Sequence, residues 1–287
     1  MKQIVVISGK GGTGKTVITA SFASLAKNKV MVDCDVDAAN LYLLLHPNIK
    51  ETYEFTGKVA KIDQDKCDQC GKCQEFCRFE AINKINNNFV IDPASCESCG
   101  VCVYICPQKA VKMVENLLGK WFISETKYGP LVHAKLGVGG ENSGKLVSLV
   151  KERAKSIGED EKKDLIIIDG PPGIGCPVIA SLSGVDIALI VTEPTLSGIH
   201  DLERVLGVAN HFGIKSLVCI NKYNLNLENT QKIKNYCQDW GIEVVGEIPF
   251  DTAVTRALVM GKPIVEYSDG SVSRQIKNIW EKVRAFN

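Results

Sequence analysis

Two groups of residues in this 287-residue chain are of types, and at spacings, that could do chemistry. The first is the run Gly9, Lys10, Gly11, Gly12, Thr13, Gly14, Lys15, Thr16, which satisfies the pattern G-x-x-x-x-G-K-[ST]. Glycines at these places let successive backbone N–H groups turn inward around phosphate oxygens, in conformations closed to residues with a β-carbon. A helix beginning near Lys15 adds its positive N-terminal end to the same anion site. In this pattern the lysine bridges the β- and γ-phosphates of a nucleotide and the hydroxyl that follows ligates Mg²⁺, roles that fall here to Lys15 and Thr16. The second group is eight of the twelve cysteines: Cys67, Cys70, Cys73 and Cys77, then Cys96, Cys99, Cys102 and Cys106, two runs related by an offset of 29 residues.

Each cysteine run has the spacing C-x₂-C-x₂-C-x₃-C, the pattern of bacterial two-cluster ferredoxins. Three closely spaced thiolates can wrap one corner of a cubane, whereas the fourth does not easily fold back to the same cluster and ligates its neighbour. The expected sets are therefore Cys67, Cys70, Cys73 and Cys106 on one [4Fe–4S] cluster, with Cys96, Cys99, Cys102 and Cys77 on the other. Zinc is the main competitor, but it ordinarily takes two separated pairs of ligands, and two tandem four-cysteine runs exceed its needs. Pro107 follows the second run as in the ferredoxin pattern, while Arg78 stands where the first run would have proline. All ligands are intact, and the charge of Arg78 would raise the potential of a nearby cluster. Of the scattered cysteines, Cys34 and Cys176 lie next to candidate nucleotide segments, while Cys219 and Cys237 read as structural.

The elements that must hold these residues follow from hydrophobic periodicity. QIVVIS is a short apolar run before the glycines and KVMVDCD is a second, with a helical pattern between them, so the chain opens as a βαβ unit. From about Phe55 the pattern changes to short alternating segments that lead into the cysteine runs. WFISETKYGPLVHAKL reads as extended, and a helix is expected from about Ser143 to Ile157. Beyond that, strands at DLIIID, DIALIVT, KSLVCI and IEVVGEI alternate with helices near 198–212, 228–239 and 252–260. Such alternation predicts an α/β, doubly wound, mostly parallel sheet with helices on both faces, interrupted by a small α+β insert of bacterial-ferredoxin type. The expected domains are residues 1–56 with 117–287, and 57–116 for the insert.

Composition bounds the partners. With 34 Lys and Arg against 33 Asp and Glu the net charge is +1, so no global basic field points to nucleic acid or an anionic membrane. The longest apolar stretches fall far short of the roughly 20 residues that span a bilayer, and the first residues read as strand and loop, not as a signal peptide, so the expected location is cytoplasmic. There, thiols stay reduced and twelve cysteines do not read as a disulfide framework. Val272, Ile276, Ile279, Val283 and Phe286 form a stripe that reads as a last helix packed on the sheet, with a membrane-surface helix as the competing reading. His133 and His200 have no metal-ligand partners at useful spacing.

The loop GKGGTGKT, with DCDVDAANL after the second strand and LIIIDGPPGIG later, resembles the deviant Walker A ATPases, the family of MinD, ParA, Mrp and the nitrogenase iron protein. Within it the chain is most similar to MinD-type ATPases with an inserted ferredoxin domain, a likeness that includes TKYGPLVHAKL and ENSGKLV. The resemblance implies a dimer, with itself or with a related ATPase, in which Lys10 reaches across the two-fold interface to the partner's nucleotide. It implies that Asp35 orients the attacking water, with Asp33 and Asp37 near enough for the role to shift by two residues, and that Asp169 holds the Mg²⁺ hydration shell. Gly170–Gly175 matches the switch segment, Asn221 resembles the asparagine that reads the adenine edge, and Pro249 to Asp251 lies where the family closes over the base. Thr19 completes the expected nucleotide-binding set.

The combination predicts an ATP- and ADP-binding, Mg²⁺-dependent ATPase in which the nucleotide state of a dimer controls electron transfer through two clusters to a redox or metallocluster partner. Two other readings stay open: an ATP-dependent factor that assembles or delivers clusters, and a nucleotide-dependent scaffold with structural clusters. Neither nucleic-acid binding nor stable membrane binding is expected.

Overall fold

The structure is a computed structural model that describes residues 1–137 and 143–286; Glu141 and Asn142 of the ENSGKLV segment lie outside the described residues. Its first elements are β1 (Lys2–Ser8), α1 (Lys15–Leu25), β2 (Lys29–Asp33), α2 (Tyr42–Leu45) and β3 (Asn48–Ile62). Then come α3 (Lys72–Glu75), β4 (Ile82–Ile85), β5 (Asn88–Ile91), α4 (Val101–Ile105), β6 (Val111–Thr126) and β7 (Gly129–Leu136). The rest of the chain forms α5 (Ser143–Asp160), β8 (Leu165–Pro172), α6 (Cys176–Leu182), β9 (Ile187–Thr192), α7 (Leu196–His211) and β10 (Lys215–Asn221). It ends with α8 (Leu227–Asp239), β11 (Glu243–Ile248), α9 (Thr252–Val259), α10 (Ile264–Tyr267) and α11 (Ser271–Ala285).

The chain divides into two compact units. The first comprises Met1–Thr52, Phe122–Ala134 and the stretch from Ser143 onward, and the second comprises Tyr53–Trp121 with the stretch that begins at Lys135. Positions 57 and 117, where the sequence pattern changes, fall inside the long strands β3 and β6, so chain composition and compactness mark different points.

The large sheet has the strand order β11-β10-β9-β1-β8-β2-β7-β6-β3. β1 runs parallel to β8 and to β9, β2 runs parallel to β8 and to β7, and β10 runs parallel to β9 and to β11. The doubly wound, mostly parallel sheet expected from the alternation is what forms. Central strands of such a sheet are covered on both faces, which requires uninterrupted apolar runs. Ile4 to Ile7 and Ile166 to Ile168 meet that requirement, all essentially without exposure. The order places β8 between β1 and β2, so the loops after β1 and β2 diverge around the end of β8, where open α/β sheets bind ligands.

α1 packs its buried face, including Ile18, Ala20, Phe22 and Ala23, against this core, with the Phe22 ring 4.9 Å from that of Trp280 in α11. Val272, Ile276, Ile279 and Val283 are buried in the same cluster with Phe286 packed against it, so the C-terminal stripe is a core face of the fold. At the other side of the sheet, Lys151 of α5 buries its ammonium and donates to the carbonyls of Ala180, Ser181 and Ser183 at 3.0, 2.7 and 2.6 Å, fixing the C-terminal end of α6. Burial holds its pKa down at about 8.

His133 is a buried residue of β7, paired in register with Asp33, its ring stacked on Phe122 and its Nε2 2.9 Å from the Ser124 hydroxyl. Burial lowers its pKa from 6.5 to about 4. The unfolded chain therefore binds this proton below about pH 6.5 while the folded chain refuses it until about pH 4. The stability contributed by His133 is fully present above pH 6.5 and is lost as pH falls through that window. Chemical denaturation between pH 7 and pH 4 should show a loss of up to about 3 kcal/mol from this group, and His133→Gln should flatten that part of the profile.

Candidate functional site

The phosphate loop joins β1 to α1, and its geometry gives separate reasons for its glycines. Gly12 and Gly14 adopt φ values of +78° and +98°, in the region that favours glycine. A β-carbon on Gly14 would lie 2.4 Å from Asn221 Nδ2, and one on Gly9 would lie 2.4 Å from Asp201 Cβ, so Gly9 serves the packing of α7 against the loop. Thr13 is buried, with its hydroxyl lacking a partner, and Gly11 has open space around it.

The loop overlooks a cleft of about 630 Å³ lined by Gly11, Gly12, Gly14, Lys15, Thr16, Asp35, Asp37, Pro171 and Pro172 among others. Lys15 is only 6% exposed, and its ammonium feels Asp169, Asp35 and Asp33. Burial outweighs those three charges and lowers its pKa. Asp169, within β8, is buried and accepts from Thr19 Oγ1 at 2.9 Å. Its other carboxylate oxygen has no partner, and burial pushes its pKa up to about 6. A buried carboxylate oxygen without a donor fits a cation.

The other expected residues take distinct places. Asp35 and Asp37 both line the cleft, whereas Asp33 is buried behind it and accepts the N–H groups of Asp35 and Leu41 at 3.1 and 3.2 Å. Thr19 is fully buried and points at Asp169 and the Lys15 carbonyl, so it steadies the carboxylate from behind. A second cavity of about 270 Å³ adjoins the loop and is lined by Gly12, Asn221, Lys222, Pro249, Phe250 and Asp251 among others. Asn221 uses one amide hydrogen to hold the Thr13 carbonyl at 2.7 Å and its oxygen to accept from the Lys222 N–H. Asp251 caps α9, accepting from the Ala253 N–H at 2.7 Å.

Lys10 does not line the cleft; its ammonium lies 2.6 Å from Glu193 Oε1. Glu193 and its second partner Lys222 went unmarked by sequence pattern, although Lys222 directly follows Asn221 in the segment INK. Cys34 and Cys219 are fully buried and Cys237 is buried, with burial pushing their thiols up. Cys176 is exposed at the first position of α6.

In the second unit the 29-residue repeat is written in the backbone. Gln69 and Ser98 have φ near +60° and +54°, Gly71 and Gly100 +76° and +75°, and Glu80 and Lys109 +53° and +50°. Four of these six are not glycine, so the left-handed turns cost energy that the surroundings must offset. Each run ends in a short helix, α3 or α4, that starts directly after the left-handed glycine. Burial pushes the Cys73 thiol up, and Cys67, Cys106 and Cys70 lie near enough to add to the effect. Cys77 joins Cys96, Cys99 and Cys102 in lining one cavity with Phe76, Phe79 and Ile82. Burial, then Cys96 and Cys99, push the Cys102 thiol up to about 11. Among the described residues no three His, Cys, Asp or Glu side chains form a group that could hold a metal ion.

A glycine-rich loop between the first strand and the first helix, at the switch point of a doubly wound sheet, defines a P-loop nucleotide-binding protein. The model of the CobQ/CobB/MinD/ParA nucleotide-binding domain matches residues 4–264, and the chain belongs to that family. An uncharacterized protein of Methanocaldococcus jannaschii is 38% identical over 99% of this chain and 97% of its own length. The chloroplastic homologue of the septum site-determining protein MinD from Arabidopsis thaliana is 27% identical over 91% of this chain and 68% of its own. The structure of the septum site-determining protein MinD of Pyrococcus horikoshii, complexed with Mg-ADP, shares the fold with a TM-score of 0.61 at 18% identity, covering 99% of this chain and 96% of that one. The chain is thus an ATPase of the MinD/ParA type. Among the described residues, no helix is long and apolar enough to cross a membrane.

Gly14 carries the sharpest steric demand in the loop. Gly14→Ala should reduce the affinity for a fluorescent ATP analogue by more than about tenfold, through the positive φ and the collision with Asn221, while the far-ultraviolet circular dichroism stays that of the parent protein.

Proposed function

We propose that this chain is an ATP-hydrolysing iron–sulfur protein in which the nucleotide state of a dimer controls electron transfer through two [4Fe–4S] clusters to a redox partner. What supports the reading is that Cys106 acts on the Cys73 thiol together with Cys67 and Cys70, and that Cys77 lines one cavity with Cys96, Cys99 and Cys102, as an exchange of the fourth cysteine between the two runs requires. Two tandem loops of matching left-handed backbone, each closed by a cysteine from the other, suit a pair of cubanes. Zinc fits less well, because it ordinarily takes two separated pairs of ligands and two tandem four-cysteine runs exceed its needs.

When bound, the clusters supply one-electron transfer. The cysteines hold them as thiolates, and the apolar wall of Phe76, Phe79 and Ile82 limits the approach of water to one of the sites. In the nucleotide site, the inward N–H groups of Gly11 to Gly14 and the Lys15 ammonium bind phosphate oxygens, and Thr16 and Asp169 are the residues for Mg²⁺. The unpartnered Asp169 oxygen supports that assignment, with Thr19 as the hydrogen-bond donor that keeps the carboxylate in place. Asp35 orients a water for in-line attack on the γ-phosphorus, so that the bond to the ADP oxygen breaks and phosphate leaves. Asn221, Pro249 and Asp251 border the cavity assigned to the base. Lys10 of a second copy, or of a related ATPase, faces the phosphates and offsets the charge that develops on the transferred group.

Strictly anaerobic preparation should yield about eight irons and eight sulfides per chain, and replacing Cys106 or Cys77 with serine should disturb one cluster while the other keeps its signal in electron paramagnetic resonance. Zinc without sulfide would overturn the iron–sulfur assignment. Rates of electron transfer to an acceptor protein should differ between the ADP form and the form locked by a non-hydrolysable ATP analogue. Equal rates would remove the coupling.

A further inference from the structure

Lys10 is held by its own chain, and the way it is held assigns a role to a residue with no counterpart in the loop pattern. Glu193 Oε1 lies 2.6 Å from Lys10 Nζ, which also donates to Thr195 Oγ1 at 3.2 Å and Ser197 Oγ at 3.1 Å. The other carboxylate oxygen of Glu193 lies 3.0 Å from Lys222 Nζ, and that ammonium also donates to the Gly12 carbonyl at 3.2 Å. The Glu193 side chain is 13% exposed and each lysine 29%, so the three-charge cluster is partly screened from water. Lys10 and Lys222 hold the Glu193 carboxyl below its usual range, against the opposing effect of its burial.

The carboxylate cannot follow the lysine elsewhere. Thr192 Oγ1 donates to the Gly198 carbonyl at 2.9 Å, Thr195 caps α7 by accepting from the Gly198 N–H at 3.0 Å, and the Thr195 N–H donates to the Glu193 carbonyl at 2.8 Å. A β-carbon on Gly198 would sit 2.3 Å from that same carbonyl, so the segment is packed against itself. For Lys10 to reach another anion, it must leave Glu193.

We propose that Glu193 is a positioning residue for Lys10, which keeps the ammonium on its own chain until the phosphates of a second copy's nucleotide compete for it. The inference rests on the reading above that Lys10 acts across a dimer. Dimer closure then exchanges one anionic partner of Lys10 for another, and the strength of the Glu193 contact sets how readily two copies close. Because Lys222 shares the carboxylate, the hold on Lys10 is weaker than that of an unshared pair.

The test is ATPase activity per chain as a function of protein concentration, with the dimer fraction measured by sedimentation in a non-hydrolysable ATP analogue and Mg²⁺. Glu193→Gln should lower the concentration of half-maximal activity by about tenfold and raise the dimer fraction accordingly. Glu193→Asp, which withdraws the carboxylate by one methylene, should shift both in the same direction by less, and stands in if the glutamine variant does not fold. In a Lys10→Ala background, where concentration-dependent activity is lost, Glu193→Gln should leave the dimer fraction unchanged, a dependence that a merely structural glutamate would not show. An unchanged or higher half-maximal concentration in folded Glu193→Gln or Glu193→Asp overturns the proposal. Full concentration-dependent activity in Lys10→Ala alone would instead overturn the reading of Lys10 on which it rests.

Discussion

One ammonium and three carboxylates meet at the end of a sheet whose central strands leave them almost no water. Lys15 and Asp169 are nearly or fully buried, Asp33 is fully buried, and Lys15 and Asp35 line the cleft. In such surroundings each ionised form depends on its neighbours, and the opposing shifts of Lys15 and Asp169 express a cluster of charge that is incomplete in the protein alone. In the proposed reading a divalent cation answers the carboxylates and a polyphosphate answers the lysine. The buried apolar runs Ile4–Ile7 of β1 and Ile166–Ile168 of β8 make this arrangement possible, because they seat the carboxylate and the loop on a dry base.

The loop itself is held from outside. Asn221 and Lys222, at the end of β10, bond the carbonyls of Thr13 and Gly12, while α7 is wedged against Gly9. Backbone carbonyls that are tied back in this way leave the N–H groups free to face the cleft, which is the preorganisation that anion binding needs. Residues far apart in sequence thus cooperate on a single eight-residue turn.

Much of this was legible in the chain as written. Continuous apolar runs announce the buried parallel strands, and the glycine spacing announces the turn, because few other physical tasks need either pattern. The C-terminal stripe from Val272 to Val283 likewise gave its core position through periodicity alone. What periodicity could not convey was the role of individual polar atoms. Thr19 and Asp251 belong to the expected nucleotide set by position, yet their side chains are engaged with Asp169 and the N-terminus of α9, contacts decided by packing. Glu193 lies just past an apolar strand with nothing to distinguish it from an ordinary strand-end carboxylate until folding brings Lys10 and Lys222 to it.

The exchanged cysteines give the repeated segment an unusual economy. In the proposed iron–sulfur reading each four-sulfur group borrows one member from the opposite repeat, so neither run is a complete binding unit without the other. Loss of either copy would leave two broken cages where a simple tandem array would keep one whole.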